Sequence, residues 1–233
     1  MEARGVIMNR AFLKWVAIVT MTIDHIGVYW IEPGLFHDIL RGIGRISFVL
    51  FAFLVAEGFR HSRNVFKYAL RPTAYALVVE GAILGYSLLS GVNLVFTFNV
   101  FWPLALGLWL LIALTREHPA WRLLCLPILL FTVFVRYPYH WYVLALILLF
   151  GLLDRKKWAA LVVGVAAIHL IFVDTPWSMA PLSIYPPLQQ LGMLALPLIL
   201  LYDGVKGKDS KWFFYLYYPA HLAVIYALGP LFR

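Results

Sequence analysis

Phe98-Asn99-Val100-Phe101-Trp102-Pro103-Leu104-Ala105-Leu106-Gly107-Leu108-Trp109-Leu110-Leu111-Ile112-Ala113-Leu114-Thr115 runs for 18 residues without one Lys, Arg, Asp or Glu. An uncharged apolar run of about this length reads as a membrane-crossing helix, because hydrocarbon offers the backbone no water and a helix satisfies its own N–H and C=O groups. Working outward, eight further apolar spans flank it, at 12–31, 44–59, 72–90, 122–136, 139–153, 157–173, 187–202 and 212–231. Several are nearer 15 than 20 residues, and 122–136 with 139–153 also fits a hairpin. Pro33, Pro72, Pro119, Pro138, Pro176, Pro181, Pro186 and Pro187 stand at or between spans, where helix breakers belong. The whole chain agrees with the run: 63% of its residues are hydrophobic and 13% charged, against roughly 45–50% and ~25% in soluble chains. That excludes a soluble fold, a disordered chain, a collagen and a coiled coil. The expected fold is an all-α integral membrane protein, a polytopic bundle of about nine transmembrane helices. Residues 1–233 read as a single transmembrane domain, without repeat or linker.

The formal charge is +8. In a membrane protein such an excess reads as Lys and Arg in cytoplasmic loops rather than as nucleic-acid binding. With the N-terminus inside, that side holds Arg4, Arg10 and Lys14; Arg60, Arg63, Lys67 and Arg71; Arg116 and Arg122; Arg155, Lys156 and Lys157; and Lys206, Lys208 and Lys211. The outer side holds Arg41, Arg45, Arg136 and Arg233. A split of 15 to 4 supports this orientation and puts the C-terminus outside. The first run is broken by Asp24 and His25 and no small-residue cleavage site follows, so it reads as a membrane helix rather than a signal peptide. The lone Cys125 permits neither a disulfide framework nor a CxxC metal site, and it reads as a small buried hydrophobe. No metal is expected.

Ionisable groups in hydrocarbon are costly, so Asp24, His25, Arg45, Glu57, Glu80, His169 and His221 each call for a reason. Asp24 stands ten residues beyond Lys14 and His221 ten beyond Lys211. At about 1.5 Å per residue both lie roughly 15 Å in, near the middle of a ~30 Å core. Glu80, nine residues past Arg71, falls near the same layer, and Arg45 can snorkel outward or turn to a carboxylate such as Asp24. Glu57 reads as a boundary residue. Asp24 and His25 point about 100° apart, Asp24 with Thr20 and Gly27, His25 with Thr22 and Tyr29. A shared pocket therefore needs partners from other helices, and His221 with Tyr217 and Tyr218 one turn before it supplies candidates. Pro219 frees a backbone carbonyl nearby. Interhelical hydrogen bonding is the ordinary reading for Glu80 and His169, whereas Asp24, His25 and His221 at one depth exceed what packing requires. The Gly81–Gly85 pair has the spacing of a close helix approach. The segment from Arg60 to Arg71 reads first as positive-inside topology and second as a cradle for a polyanionic cofactor.

Three stretches carry a family resemblance. The first is Leu13-Lys14 with Met21-Thr22-Ile23-Asp24-His25-Ile26-Gly27. The second is Ile43-Gly44-Arg45-Ile46-Ser47-Phe48, Phe51-Ala52-Phe53-Leu54-Val55-Ala56-Glu57-Gly58-Phe59, then His61, Asn64, Tyr68 and Arg71. The third is Lys211-Trp212-Phe213-Phe214-Tyr215 and Tyr218-Pro219-Ala220-His221-Leu222. Together, from about residue 13 to the end with a poorly matched middle from about 100 to 205, they resemble the TraX family, named for the conjugation protein that N-acetylates F-type pilin. One departure is Val49, where the family usually has proline.

The resemblance implies a multi-pass acetyltransferase of the bacterial inner membrane, similar to larger acyltransferases with an intramembrane histidine. It would move an acetyl group from cytoplasmic acetyl-CoA to an acceptor amine or hydroxyl on a pilin or other peptide, a glycan or a lipid. On this reading His25, or else His221, is the general base, and Asp24, held by Arg45, counters the imidazolium as it forms. An acetyl-histidine relay is the other option. Arg60, Arg63, Lys67 and Arg71 meet the phosphates of acetyl-CoA, and Glu80, Tyr217 and Tyr218 line the acceptor site. Two other classes remain open: a proton-coupled transporter or flippase using the same Asp/His/Glu groups, against which no inverted repeat is visible, and a non-enzymatic assembly factor.

Overall fold

The computed structural model describes residues 8–90, 99–135, 139–154, 156–172, 187–208 and 211–229. Arg4, Arg136, Arg155, Arg233, Pro138, Pro176, Pro181 and Pro186 lie outside the described residues. Among the described residues the regular structure is helical, apart from one isolated bridge between Met8 and Tyr202. The helices are α1 (Arg10–Trp30), α2 (Leu35–Arg60), α3 (Val65–Ser90), α4 (Phe101–Thr115), α5 (Cys125–Phe134), α6 (His140–Leu152), α7 (Trp158–Phe172), α8 (Pro187–Gln190), α9 (Ala195–Leu200) and α10 (Lys211–Leu228). Among the described residues three helices are long and apolar enough to cross a membrane: Arg10–Trp30, Leu35–Arg60 and Val65–Leu89. The other expected spans correspond to shorter apolar helices.

Three spans differ from expectation. The third starts at Val65 rather than 72, and Pro72, expected as a breaker, lies inside α3 in its second to third turn, after Asn64 has capped the helix start. The second span starts at Leu35 rather than 44, because Arg41, Gly42 and Gly44 dilute its hydropathy without breaking a helix. The eighth, expected as one run, is α8, a 3₁₀ turn over Leu191–Leu194, and α9. Pro197 has no N–H to return to the Met193 carbonyl, which favours the tighter turn upstream.

The chain divides into two compact units. The first is Met1–Leu54 with Tyr185–Arg233. In α1 the buried positions Leu13, Ala17, Thr20, Asp24 and Gly27 recur at spacings of four and three, one face of a helix. Asn9 caps the helix, its side chain accepting from the Phe12 N–H at 2.9 Å. Ahead of it, Arg10 N–H donates to the Val205 carbonyl at 2.9 Å and Asp203 N–H to that of Met8 at 3.1 Å. These bonds tie the start of α1 to the loop before α10. Gly207 sits in that loop at φ +69°, where a side chain would be strained and would meet Asn9. α1 and α10 run parallel: Trp15 meets Phe213, Thr22 meets Tyr217, His25 meets His221 and Trp30 meets Ile225.

The second unit is Val55–Ile184. α4 lies at its centre, packed by α3, α5 and α6, and α7 packs on α6. Lipid is as apolar as leucine, so close packing rather than escape from water holds such helices together. Glycines supply the notches: Gly107 receives Ile147, Gly151 receives Leu111, and Gly164 receives Leu149. Leu110, Ile128 and Leu144 form a buried cluster where α4, α5 and α6 meet. The close approach expected at Gly81–Gly85 is not made, since a Cβ at either meets nothing within 4 Å among the described residues.

Candidate functional site

Asp24, on the buried face of α1, is clamped by two arginines of α2. Arg41 Nη1 donates to its Oδ2 at 2.6 Å and Arg45 Nη2 to its Oδ1 at 2.6 Å. Arg45 also donates from Nε to the Arg41 carbonyl at 3.1 Å and from Nη1 to Gln189 Oε1 of α8 at 3.3 Å. The three charged residues are 7%, 6% and 5% exposed, so this is a buried ion cluster. Its geometry depends on Gly44, because a Cβ there would land in the Asp24 carboxylate. Ser47, one turn on, donates to the Gly44 carbonyl at 2.7 Å.

The pairing expected between Asp24 and Arg45 is therefore present. Arg41 is a member that the loop-charge count placed outside. The signal for it was spacing: Arg41 and Arg45 are four apart and share a helix face.

The next residue of α1, His25, faces α10. Its Nδ1 lies 2.9 Å from His221 Nε2, with ring centroids 5.0 Å apart. His221 is buried and its Nδ1 lies 2.9 Å from the Tyr217 carbonyl. The Tyr217 ring stacks on His221 at 9° and 5.1 Å, and Tyr218 meets it edge-on at 5.6 Å. The Tyr217 hydroxyl bonds Thr22 at 2.7 Å. Asp24 bonds the two arginines rather than His25, so two polar groups lie side by side on α1, one ionic and one a pair of imidazoles. Two coupled imidazoles on apolar helices can accept, hold and return a proton.

The other expected site residues lie in the second unit. Arg60 pairs with Glu57 at 3.6 Å and donates to the Leu153 carbonyl. Arg63, Lys67 and Arg71 are exposed. Lys67 and Arg71 share a face of α3, which Asn64 caps by accepting from Lys67 N–H at 2.9 Å. Tyr68 donates to the Val55 carbonyl at 3.3 Å, and its hydroxyl fills the space a Cβ on Gly58 would take. Glu80 is buried, and its Oε2 accepts from Asn99 N at 3.1 Å, Asn99 Nδ2 at 2.6 Å and Trp102 Nε1 at 3.1 Å. It joins α3 to the start of α4. His169 is buried, bonded to the Tyr142 hydroxyl at 2.9 Å and, through Nδ1, to the Val165 carbonyl at 2.8 Å.

The motif residues thus have physical duties: Gly44 admits Asp24, Arg45 pairs with it, Gly58 admits Tyr68, and Asn64 caps α3. A family model described as TraX protein matches residues 9–229. The chain belongs to the TraX family. A curated relative from Dichelobacter nodosus, described as "Probable fimbrial assembly protein FimC, serogroup H1", is 26% identical over 96% of each chain. No solved structure matches this TraX family member.

Proposed function

We propose that this TraX family member is a membrane-embedded acetyltransferase that moves an acetyl group from cytoplasmic acetyl-CoA to an amine or hydroxyl of a pilin-class acceptor. The His25–His221 pair carries the reading: two imidazoles in contact at 2.9 Å, one each from α1 and α10, beside a doubly clamped carboxylate. The family and the fimbrial-assembly relative support the acceptor class. His25 takes the proton of the attacking amine or hydroxyl while the acetyl carbon–sulfur bond gives way, and the proton passes to the leaving thiolate. Asp24, next to His25 on α1, is clamped by Arg41 and Arg45, and its carboxylate offsets their charges beside the ring that takes the proton. Arg60, Arg63, Lys67 and Arg71 are the cradle for the cofactor's phosphates.

The enzyme lies in the bacterial inner membrane with its N-terminus cytoplasmic and its C-terminus periplasmic. Parallel α1 and α10, if both cross, need an odd number of crossings, as nine spans supply. The deciding experiment supplies purified full-length protein in nanodiscs with radiolabelled acetyl-CoA and a pilin subunit. Label on the subunit, with one free thiol released per acetyl, is the expected result. A proton-coupled transporter would neither label the subunit nor release CoA.

A further inference from the structure

His221 Nδ1 faces the Tyr217 carbonyl, which accepts hydrogen bonds and donates none. In the neutral ring the proton therefore sits on His221 Nδ1, and Nε2 carries the lone pair. That lone pair faces His25 Nδ1 at 2.9 Å, so the bond between the rings forms only if His25 Nδ1 donates. His25 Nε2 is left with a lone pair and, among the described residues, no hydrogen-bond partner. The anchor is itself braced. Thr22 donates its hydroxyl proton to the Ile18 carbonyl at 2.8 Å, so it must accept from Tyr217 at 2.7 Å, and Tyr217 stacks on His221. His61, His169 and His221 all direct Nδ1 to the carbonyl four residues back, whereas Nδ1 of His25 leaves its own helix for α10.

We propose that His221 is a positioning residue which sets the tautomer of His25, so that His25 presents Nε2 as the reacting nitrogen. The chemistry of that nitrogen rests on the acetyltransferase reading; the tautomer does not. In the reaction the acceptor's proton moves to His25 Nε2 as the new bond to the acetyl carbon forms and the carbon–sulfur bond breaks. The His25 Nδ1 proton is then free to shift to His221 Nε2, which spreads the cation over both rings. When the shift reverses, the proton on His25 Nε2 goes to the CoA thiolate. No proton is left over.

The test uses full-length protein with ¹⁵N-labelled histidine in nanodiscs, the His25 signals being identified by their loss in His25→Gln. The wild type should show His25 protonated at Nδ1 and unprotonated at Nε2. His221→Ala should bring in the Nε2-protonated form and lower kcat about 100-fold, within the usual span for general-base catalysis, with KM for acetyl-CoA changed less than about twofold. His221→Gln keeps an acceptor oxygen where Nε2 stood, so it should restore the Nδ1-protonated form and bring kcat to within about tenfold of wild type. A wild-type His25 protonated at Nε2 overturns the proposal, as does a His221→Gln protein as inactive as His221→Ala while its His25 keeps the wild-type tautomer. If the wild type transfers no acetyl group, the acetyltransferase reading falls, and the tautomer, read without substrate, still decides the assignment.

Discussion

Asp24 shows how one residue organises a neighbourhood. Each of its oxygens meets a buried guanidinium at 2.6 Å, so Asp24→Asn would take from both the negative charge they share. Breaking a buried pair costs about 3–5 kcal/mol. Asp24→Asn should lower thermal stability in detergent by that order, and Gly44→Ala should destabilise in the same direction by pushing the carboxylate from its seat. In Asp24→Asn/Arg41→Gln the two losses should not add, because both changes break the same contact between Arg41 and Asp24. At His25 the expectation concerns rate: His25→Ala should insert and bind CoA yet lose acetyl transfer by about 10²–10⁴-fold. Near-normal turnover in that variant would assign the two imidazoles to packing. That His25 and His221 could line one cavity was legible in the sequence, because each stands about ten residues past a lysine of its own helix, the same rise along two axes; that the rings touch was not. The same arithmetic put Glu80 in that layer, yet Glu80 bonds Asn99 and Trp102. Distance along a helix gives one coordinate of three, and it does not say which neighbour a helix face meets.

Elements show where hydropathy and helix formation part. α2 runs 26 residues from Leu35 to Arg60, with Arg41 and Arg45 inside it. A hydropathy reading stops at 44 because it scores transfer to lipid, whereas the helix continues because each arginine finds a counter-ion in protein. At the other end of α2 the turn into α3 is built by Asn64. Asn64→Ala should cost about 1 kcal/mol, the usual worth of a cap, read as a lowered melting temperature. The exposed side chains around that cap permit a separate test. Arg63→Gln with Lys67→Gln should raise KM for acetyl-CoA and leave kcat nearly unchanged, since contacts to distant phosphates give uniform binding. The increase should shrink at high salt, where surface charge is screened. An unchanged KM at low salt would leave these residues to topology alone.

At the scale of the whole molecule, the candidate acid–base residues come from opposite ends of the chain. Asp24, His25, Arg41, Arg45 and His221 all belong to the unit formed by Met1–Leu54 and Tyr185–Arg233. α10 returns beside α1 in parallel, which links the site to topology. A reporter fused after Arg233 should read as periplasmic, and fusions near Arg63 and Lys156 as cytoplasmic. A cytoplasmic readout after Arg233 would require α1 and α10 to enter from opposite faces, against the direction of their contacts.

Composition and run length by themselves determined that the chain is helical and carries membrane-length apolar helices, because the backbone's need for internal hydrogen bonds in hydrocarbon leaves few alternatives. Residue spacing along single helices determined which polar groups share a helix face, and the charge of Asp24 that it wants a cation. The partners were decided only by tertiary structure: Arg41 as the second clamp on Asp24, Asn99 for Glu80, Tyr142 for His169. So were the proton positions that follow from the Tyr217 carbonyl, through His221, to His25 Nε2. A helix fixes the rise and azimuth of each side chain about its own axis. Which other axis stands opposite, and which ring atom meets which, depends on packing among helices far apart in sequence.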